Sequence, residues 1–328
     1  MSVILPVYNG QNTINQAVDS ILEQSFRNFE LLVINDGSTD SSRSIVSKIR
    51  DPRLTLITNT HRGLTACLNS GISAARGKYI ARMDADDISI SDRFKLQVEY
   101  MESNPQTGVL ATNVRFKGSS ASEGLRHYVD WQNKLMDHQE IFHNRFVDCP
   151  LIHPSVMIRR SSFMKFGCYQ ETQGPEDFEL WLRWLDQGAI FHKLQEELLV
   201  WVDGPNRLTR INDNYKKEKF FHLKARYYSK WLHQHKHEKA NNIWVLGSGS
   251  TVFHRTRFLK NCGVHVQGYI DFKPNSSLVR KVISYDDIPS LKNPFFLSYV
   301  SDRTGRQKIK EFLQAAGFIE GQDFYMMA

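Results

Sequence analysis

The chain has 328 residues, a length that indicates two domains of about 150 residues each. Hydrophobic residues make up 41% and charged residues 23% of the chain, and these values exclude a disordered or collagen-like protein. Lys and Arg number 42 against 35 acidic residues, which gives a net charge of +7. The excess lies mainly in residues 207–240, whereas residues 1–206 are mildly acidic. Nucleic-acid-binding domains usually spread basic residues over one folded face, so we expect no nucleic-acid partner.

Several sequence features indicate the cellular compartment of the protein. No apolar run approaches the roughly 20 residues needed to span a bilayer, so we expect no transmembrane helix. The chain starts directly with a strand-like segment, residues 2–6, which predicts no secretory leader. Its scattered cysteines are Cys67, Cys149, Cys168 and Cys262. Because no two of them form a Cys-x-x-Cys pair, zinc sites and disulfides are disfavoured, and we expect a cytoplasmic protein.

Strand and helix patterns alternate in the N-terminal third of the chain. Strands are predicted over residues 2–5, 29–34, 54–57, 78–83 and 109–114, and helices over residues 11–23, 41–50, 64–75 and 92–103. Alternation at this spacing predicts an α/β fold, with a mostly parallel central sheet flanked by helices. Ligands bind such sheets at the carboxyl ends of the strands, so the residues that follow each strand are the candidate site.

Three of these strand ends carry polar or turn-forming residues. The segments are Pro6-Val-Tyr-Asn-Gly10, Asn35-Asp-Gly-Ser-Thr-Asp40 and Asp84-Ala-Asp-Asp87. Each alone is compatible with an ordinary turn or helix cap. Because the three ends meet at one edge of one sheet, together they favour a ligand site.

The acidic residues after the fourth strand suit a divalent metal. Asp84 and Asp86 are two residues apart in a turn and can direct carboxylate oxygens into one small volume. Mg²⁺ and Mn²⁺ prefer oxygen ligands and often share them with substrate phosphates, and a metal here would neutralise the charge of a departing diphosphate. Asp36, at the neighbouring strand end, is placed to accept a hydrogen bond from a nucleobase N–H.

The ordered motifs resemble those of family 2 glycosyltransferases, which have the GT-A fold. The motifs are Pro6-Val-Tyr-Asn-Gly10, Asn35-Asp-Gly-Ser-Thr-Asp40, Ala75-Arg-Gly-Lys-Tyr79 and Met83-Asp-Ala-Asp-Asp87, and the resemblance extends over about residues 1–215. The resemblance implies that Pro6 and Tyr8 line the nucleotide pocket and that Asp36 contacts the base of a nucleoside-diphosphate sugar. It also implies that Asp84 and Asp86 form the DxD motif that positions the ribose, the diphosphate and the metal. Arg62, which precedes a predicted helix, occupies a place where relatives also shape the nucleotide site.

Residues 174–183 resemble the family's Glu-Asp segment, in which the second carboxylate is the general base. The resemblance implies that Asp177 is the base and that Glu176 is its alternative. A purely structural explanation is also open, because acidic residues after Pro175 would suit the first turn of any helix. A helix N-terminus also favours an ionised carboxylate, as a base requires. The implied reaction is a single displacement that inverts the anomeric centre, so an α-linked donor gives a β-linked product.

Residues 201–210 resemble a Trp-x-Asp…Arg-Leu-Thr-Arg ending found in a bacterial subset of the family. Arg207 and Arg210 are predicted to hold the diphosphate, because a guanidinium group matches phosphate oxygens in bidentate fashion. A structural role for both arginines is the alternative.

The remaining sequence predicts a linker and a second domain after a glycosyltransferase domain at residues 1–212. Residues 213–240 combine lysines with aromatic residues in a helical pattern, which predicts either a peripheral membrane contact or a linker helix packed between domains. Residues 241–328 predict a small Rossmann-like domain with Gly247-Ser-Gly249 after a strand and Asp271 after the next. The third glycine of a dinucleotide site is missing, since position 252 is Val, and this favours a structural or docking role.

The sequence therefore predicts an inverting, metal-dependent glycosyltransferase that requires Mn²⁺ or Mg²⁺. Its expected donor is a nucleoside-diphosphate sugar, with UDP as the carrier. Its expected acceptor is a glycan or a lipid-linked hydroxyl in cell-surface polysaccharide or lipopolysaccharide biosynthesis. The alternatives are a non-catalytic scaffold that binds nucleotide sugars and a NAD-dependent enzyme that uses the C-terminal domain.

Overall fold

The computed structural model describes residues 1–119, 122–204, 207–272 and 281–328. They divide into two compact units, each made of several chain segments. The first unit consists of Met1–Ile141, Pro150–Thr172 and Glu179–Ile211, and the second consists of Phe142–Cys149, Gln173–Phe178 and Asn212–Ala328. Among the residues described, we find no helix with both the length and the apolar character required to cross a bilayer.

The first unit is built on one large sheet. Its strands are β1 (Ser2–Val7), β2 (Glu30–Asn35), β3 (Leu54–Thr58), β4 (Tyr79–Arg82), β5 (Ile88–Ser89), β6 (Thr107–Lys117), β7 (Met157–Arg159) and β8 (Ile190–Val202). They lie in the order β3-β2-β1-β4-β7-β6-β8-β5. The first four strands are mutually parallel, β6 is parallel to β8, and β7 and β5 run against their neighbours. The predicted mostly parallel α/β sheet is therefore confirmed.

Helices lie between most of these strands and include the four predicted for the N-terminal third of the chain. Those before residue 212 are α1 (Ile14–Leu22), α2 (Ser42–Lys48), α3 (Leu64–Ala74), α4 (Arg93–Ser103), α5 (Glu123–Gln132), α6 (His138–Asn144), α7 (Arg160–Phe166), α8 (Glu176–Asp186) and α9 (Leu208–Ile211). The apolar spacing of α1 explains its position, because Ile14, Ala17, Val18 and Ile21 recur at helical intervals and are all buried. They pack with the apolar side chains of β1 and β2 in one core.

The position of Pro6 differs from the prediction. Strand β1 extends to Val7, so Pro6 lies inside the strand and is buried rather than following it. The pairing of β1 with β4 ends at Ile4, whereas its pairing with β2 continues to Val7. Pro6 therefore occupies a part of the strand that is paired on one side, which suits a residue without an N–H group.

The second unit contains a parallel sheet of its own. Its strands are β9 (Ile243–Leu246), β10 (Val266–Ile270), β11 (Val282–Ile283), β12 (Phe295–Ser298) and β13 (Phe324–Met326), and its helices are α10 (Lys217–His235), α11 (Ser250–Asn261) and α12 (Arg303–Ala315). The strand order is β11-β10-β9-β12-β13, with every pair parallel. This is the order expected for a Rossmann-like arrangement.

The basic helix α10 belongs to this second unit. Tyr228 is fully buried and Trp231 nearly so, and the Trp231 ring lies 4.9 Å from that of Tyr325 in β13. Lys217 and Lys230 of the same helix are exposed. Tyr228 and Trp231 therefore contribute to a protein core, while Lys217 and Lys230 face solvent.

The glycine turn after β9 is bound to the next strand end. Gly247 has a φ of 98°, which a glycine adopts without strain. The N–H and hydroxyl of Ser248 both donate to Asp271 Oδ2, at 2.8 and 2.6 Å. A Cβ on Gly247 would lie 3.2 Å from Val252 Cγ2, so the side chain that replaces the third glycine packs against the turn.

Candidate active site

The loops that follow β1 and β2 are joined by side-chain hydrogen bonds. Asn9 has a φ of 53°, and its Oδ1 accepts the Thr39 N–H at 2.9 Å. The Gln11 N–H donates to Asp40 Oδ2 at 2.9 Å. Partial burial raises the pKa of Asp40, but hydrogen bonds from Ser42 and Gln11 together lower it below its ordinary value. The two loops therefore form one structure at the carboxyl edge of the sheet.

Asp36 organises the loop that precedes α3. Its carboxylate is nearly buried, and its two oxygens accept the N–H groups of Arg62 and Gly63, each at 2.9 Å. His61 Nδ1 lies 2.9 Å from Asp36 Oδ2. Burial and a hydrogen bond to Asp36 raise the pKa of the underlying Cys67 thiol to about 12. Asp36 thus contacts three consecutive residues, His61, Arg62 and Gly63, of which Arg62 belongs to the predicted nucleotide site.

Tyr8 and His61 form an exposed aromatic pair at this edge. Their rings are stacked, with centres 4.1 Å apart and planes 25° apart, and Tyr8 retains 48% exposure. The side chain of Arg62 is exposed as well and lines an open groove of about 700 Å³, together with residues of α3 and with Tyr169 and Glu171. Tyr8, Asp36 and Arg62 therefore lie close together at this edge of the sheet.

An acidic cluster follows β4. Carboxylate oxygens of Asp84, Asp86 and Asp87 lie within 4.8 Å of one another. The cluster is next to the β1 loop, since a Cβ on Gly10 would be 3.7 Å from the Cβ of Ala85. The predicted pair of carboxylates is therefore joined by a third one and adjoins the predicted nucleotide loops.

Buried arginines partly balance this negative charge. Arg82 forms an ion pair with Asp84, and Arg207 Nη1 lies 3.8 Å from Asp87 Oδ1. Burial and the charge of Asp84 raise the pKa of Asp86. Burial raises the pKa of Asp87 well above its ordinary value, although the positive charge of Arg207 opposes this shift.

The donor set of the cluster fits a divalent cation. All three side chains offer carboxylate oxygens, the ligands that Mg²⁺ and Mn²⁺ prefer. Asp87 Oδ2 is buried and has no hydrogen-bond partner, an arrangement that costs free energy unless a cation or proton satisfies the oxygen. Asp84, Asp86 and Asp87 are therefore the residues that could hold a metal ion.

Arg207 and Arg210, the two predicted diphosphate ligands, both have partners within the first unit. Arg207 is nearly buried, and its guanidinium carbon lies 3.9 Å from the ring centre of Trp201. Arg210 binds Asp203 in bidentate fashion, with Nε at 3.1 Å and Nη2 at 2.6 Å. Arg207 is thus next to the acidic cluster, whereas Arg210 secures the end of β8. Residues 205 and 206 of this motif lie outside the described residues.

Asp177, the predicted base, and Glu176, its predicted alternative, belong to the second unit. Glu176 is buried, and its Oε2 accepts the Tyr215 hydroxyl at 2.7 Å. Asp177 is half-buried in the first turn of α8, with Cys149 Sγ 3.9 Å from its Oδ2. Its Oδ1 accepts the N–H of Phe178 at 2.7 Å.

The sequence interpretation assigned no role to several residues of these clusters. Asp87 directly follows the two predicted metal ligands, and its position beside them was the available signal. His61 precedes the predicted Arg62, but nothing in the sequence indicates its stacking on Tyr8. The bond between Tyr215 and Glu176 joins residues 39 apart in the chain, so no local motif could reveal it.

The fold and the acidic strand-end cluster define a transferase of the GT-A type, and comparisons with known proteins identify its family. The family model described as "Glycosyl transferase family 2" matches residues 2–167. This chain therefore belongs to glycosyl transferase family 2 and is a glycosyltransferase.

Named relatives agree with this assignment. EpsE of Bacillus subtilis, which its name assigns provisionally to the glycosyltransferases, is 32% identical over 205 residues, or 60% of this chain and 71% of EpsE. The Escherichia coli protein WfgD is 29% identical over 192 residues, 58% of this chain and 71% of WfgD. Its name describes a UDP-Glc:alpha-D-GlcNAc-diphosphoundecaprenol beta-1,3-glucosyltransferase. An uncharacterized glycosyltransferase of Rickettsia felis is longer, and the match spans 31% of its length.

A solved structure supports the fold. Residues 1–349 of Staphylococcus aureus TarS, crystallised in complex with UDP, superpose with a TM-score of 0.54 at 18% sequence identity. The match covers 80% of this chain and 70% of the TarS chain. At this identity the likeness establishes the GT-A fold alone.

Proposed function

We propose that this glycosyltransferase is inverting and metal-dependent and that it transfers a sugar from a UDP-sugar to a glycan or lipid-linked hydroxyl in cell-surface polysaccharide biosynthesis. The observation that carries the proposal is the cluster of Asp84, Asp86 and Asp87 beside the loops that follow β1 and β2. The name of the relative WfgD, which specifies UDP-Glc and a diphosphoundecaprenol-linked acceptor, supports the choice of carrier and acceptor class.

The residues of the first unit bind the donor in this proposal. The exposed face of Tyr8, held by its stacking on His61, offers a flat surface for the nucleobase. Asp36 fixes the loop that contains Arg62, and the exposed guanidinium of Arg62 is free to meet a phosphate. Pro6 supports these residues from within β1. Arg207 positions Asp87 in the acidic cluster and contributes positive charge next to it.

A Mn²⁺ or Mg²⁺ ion held by Asp84, Asp86 and Asp87 would stabilise the negative charge of the departing diphosphate. The positive charge of the ion would also stabilise the ionised forms of these three carboxylates. In particular, the buried Oδ2 of Asp87 would gain a partner.

Asp177 is the proposed general base, and Glu176 its alternative. Asp177 takes the proton of the acceptor hydroxyl as the hydroxyl oxygen forms a bond to the anomeric carbon. The bond from that carbon to the diphosphate breaks on the opposite face, so the configuration inverts. The half-buried position of Asp177 at the start of α8 supports an ionised carboxylate that remains accessible.

A cytoplasmic location with a peripheral membrane contact completes the proposal for a lipid-linked acceptor. Lys216, Lys217, Arg226 and Lys230, in and just before α10, are exposed and can meet anionic headgroups. Co-sedimentation with vesicles that contain an anionic phospholipid tests this contact. Binding should weaken when Lys217, Arg226 and Lys230 are changed to Gln, and binding that does not depend on these residues contradicts the proposed contact.

The donor reaction can be tested with a panel of nucleotide sugars. Release of nucleoside diphosphate is measured with Mn²⁺ and with EDTA, with and without extracts that contain candidate acceptors. We expect release from a UDP-sugar that needs the metal and is lost in Asp86→Ala. Asp130→Ala, which removes an exposed carboxylate of α5, is the matched control and should behave as the wild type. Release that is insensitive to EDTA contradicts metal dependence.

A further inference from the structure

The segment that carries the proposed base is part of the second unit, called the C-terminal unit below because most of it is Asn212–Ala328. This segment, Gln173–Phe178, is here called the base segment. It belongs to the same compact unit as Asn212–Ala328 and not to the unit that contains the large sheet. The family model ends at residue 167 and includes neither part. The contacts that hold the base segment therefore come from residues for which family membership assigns no role.

Tyr215 contacts the base segment through a direct hydrogen bond. Its hydroxyl donates to Glu176 Oε2 at 2.7 Å, and Glu176 is only 7% exposed. A hydrogen bond to a buried carboxylate restricts the rotamer of that carboxylate, because the bond requires a defined distance and direction. Since Glu176 directly precedes Asp177, this bond also fixes the start of α8.

Helix α10 holds the two ends of the base segment by packing. Gly174 lies so close to the helix that an added Cβ would be 2.6 Å from Leu223 Cδ1. At the other end, the ring of the fully buried Phe178 lies 5.5 Å from that of Phe220. Leu223 is itself only 1% exposed, so it has little room to move aside.

Helix α10 is in turn fixed to the strands of the C-terminal unit. Tyr228 and Trp231 pack on Phe295 of β12, with ring centres 6.2 and 6.0 Å away. The buried Lys224 Nζ donates to the carbonyls of Val147 and Met327, at 3.1 and 2.7 Å. The position of the base segment is thereby linked to the C-terminal sheet through well-packed, buried side chains.

We propose that the C-terminal unit is an integral part of the catalytic apparatus, with Tyr215 as a positioning residue that orients Glu176 and thereby Asp177. This inference rests on the proposed role of Asp177. It assigns a catalytic function to the C-terminal unit, which contributes no residue to the proposed donor site.

The test is a double-mutant cycle in the full-length protein. Tyr215→Phe keeps the ring and removes the hydroxyl, and it should lower kcat about tenfold, the effect of one hydrogen bond to a charged group, while the KM for the donor stays unchanged. When Tyr215→Phe is combined with Glu176→Ala, kcat should fall no further than in Glu176→Ala alone, because the effect of Tyr215 passes through Glu176. Tyr285→Phe, which changes a tyrosine of the same unit remote from the base segment in sequence, is the control and should match the wild type.

A steric rescue gives a second, independent test. Gly174→Ala should lower kcat, since the new methyl group collides with Leu223, and Gly174→Ala combined with Leu223→Val should recover activity. The inference is overturned if the kcat of Tyr215→Phe equals that of the Tyr285→Phe control. It is also overturned if the losses in kcat from Tyr215→Phe and Glu176→Ala multiply in the double variant, or if Leu223→Val restores no activity to Gly174→Ala. Full transfer by Asp177→Asn would instead contradict the base assignment, whereas an inactive Asp177→Asn with a fully active Tyr215→Phe contradicts the positioning role alone.

Discussion

Asp87 Oδ1 accepts the main-chain N–H of Val202 at 2.8 Å, so the acidic loop after β4 is bonded to the end of β8. The other oxygen of the same carboxylate is buried without a hydrogen-bond partner. One side chain therefore has two separable tasks. One oxygen supports the fold, and the other is available to a metal ion.

Substitutions of Asp87 should separate these tasks. Asp87→Asn keeps an oxygen for Val202 but replaces a charged metal ligand, so we expect near-normal stability and at least about a tenfold weaker response to Mn²⁺. Asp87→Ala removes the acceptor as well and should also lower the free energy of unfolding by roughly 1–3 kcal/mol. Thermal unfolding and Mn²⁺ titration of activity measure the two effects. Equal Mn²⁺ responses of Asp87→Asn and the wild type would exclude Asp87 as a ligand.

Asp36 should determine donor affinity through the loop it holds. In Asp36→Asn the amide cannot accept both the Arg62 and the Gly63 N–H groups in the present geometry, because one of its oxygens becomes an NH₂ donor. We expect the KM for the nucleotide sugar to rise about tenfold. Asp51→Asn, which alters a carboxylate bound by Arg53 elsewhere in the unit, is the control and should leave KM unchanged. An unchanged KM in Asp36→Asn would show that the loop does not need this anchor.

Gly37 should tolerate no side chain. Its φ is 68°, and a Cβ would lie 2.8 Å from the His61 nitrogen, so alanine is strained and displaces the loop before α3. We expect Gly37→Ala to lower the melting temperature and weaken nucleotide-sugar binding severalfold in a calorimetric titration. Gly124→Ala is the control, since Gly124 lies in α5 with open space around its Cβ position; there alanine should be neutral or stabilising by up to about 1 kcal/mol. Normal binding by Gly37→Ala would contradict this account of the loop.

The sequence predicted β1 to β4 and β6 of the first-unit sheet because the signals of these strands are local. The apolar runs of β1 and β2 and the helical spacing of Ile14, Ala17, Val18 and Ile21 in α1 determine these elements without distant partners. The carboxyl-end rule then placed Asp36 and Asp84 at the same sheet edge.

Contacts between distant residues were beyond the same reasoning. Arg207 is a plausible phosphate ligand from its sequence motif, but its burial against Trp201 and Asp87 depends on how β8 returns to the β4 loop. The same holds for the aromatic residues of α10. Trp231 is of a residue type that is common at membrane surfaces, yet its ring packs on Tyr325, 94 positions further along the chain. Such partners are determined by the tertiary fold and leave no periodic signal.

Acid should destabilise the protein partly through His153. Burial, and secondarily the positive charge of Arg82, lower the pKa of His153 well below its ordinary value. The unfolded chain therefore binds a proton below about pH 6.5 that the folded chain does not, so stability falls as pH decreases through that value.

Urea unfolding at pH 7.5 and pH 5.5 tests this effect. The wild type should lose about 1 kcal/mol more than His153→Gln between these two pH values, and Gln keeps a polar group opposite the Tyr169 hydroxyl, which lies 2.6 Å from His153 Nε2. Equal losses in the two proteins would show that His153 is protonated equally in the folded and unfolded chains.

The most direct test of the central claim is the anomeric configuration of the transferred sugar. With an α-linked UDP-sugar and an acceptor identified in the panel, the product is examined by NMR for the wild type and for Asp177→Asn. We predict a β-linked product from the wild type and a loss of transfer in Asp177→Asn while donor binding persists. An α-linked product, or full transfer by Asp177→Asn, would contradict a single displacement with Asp177 as the base.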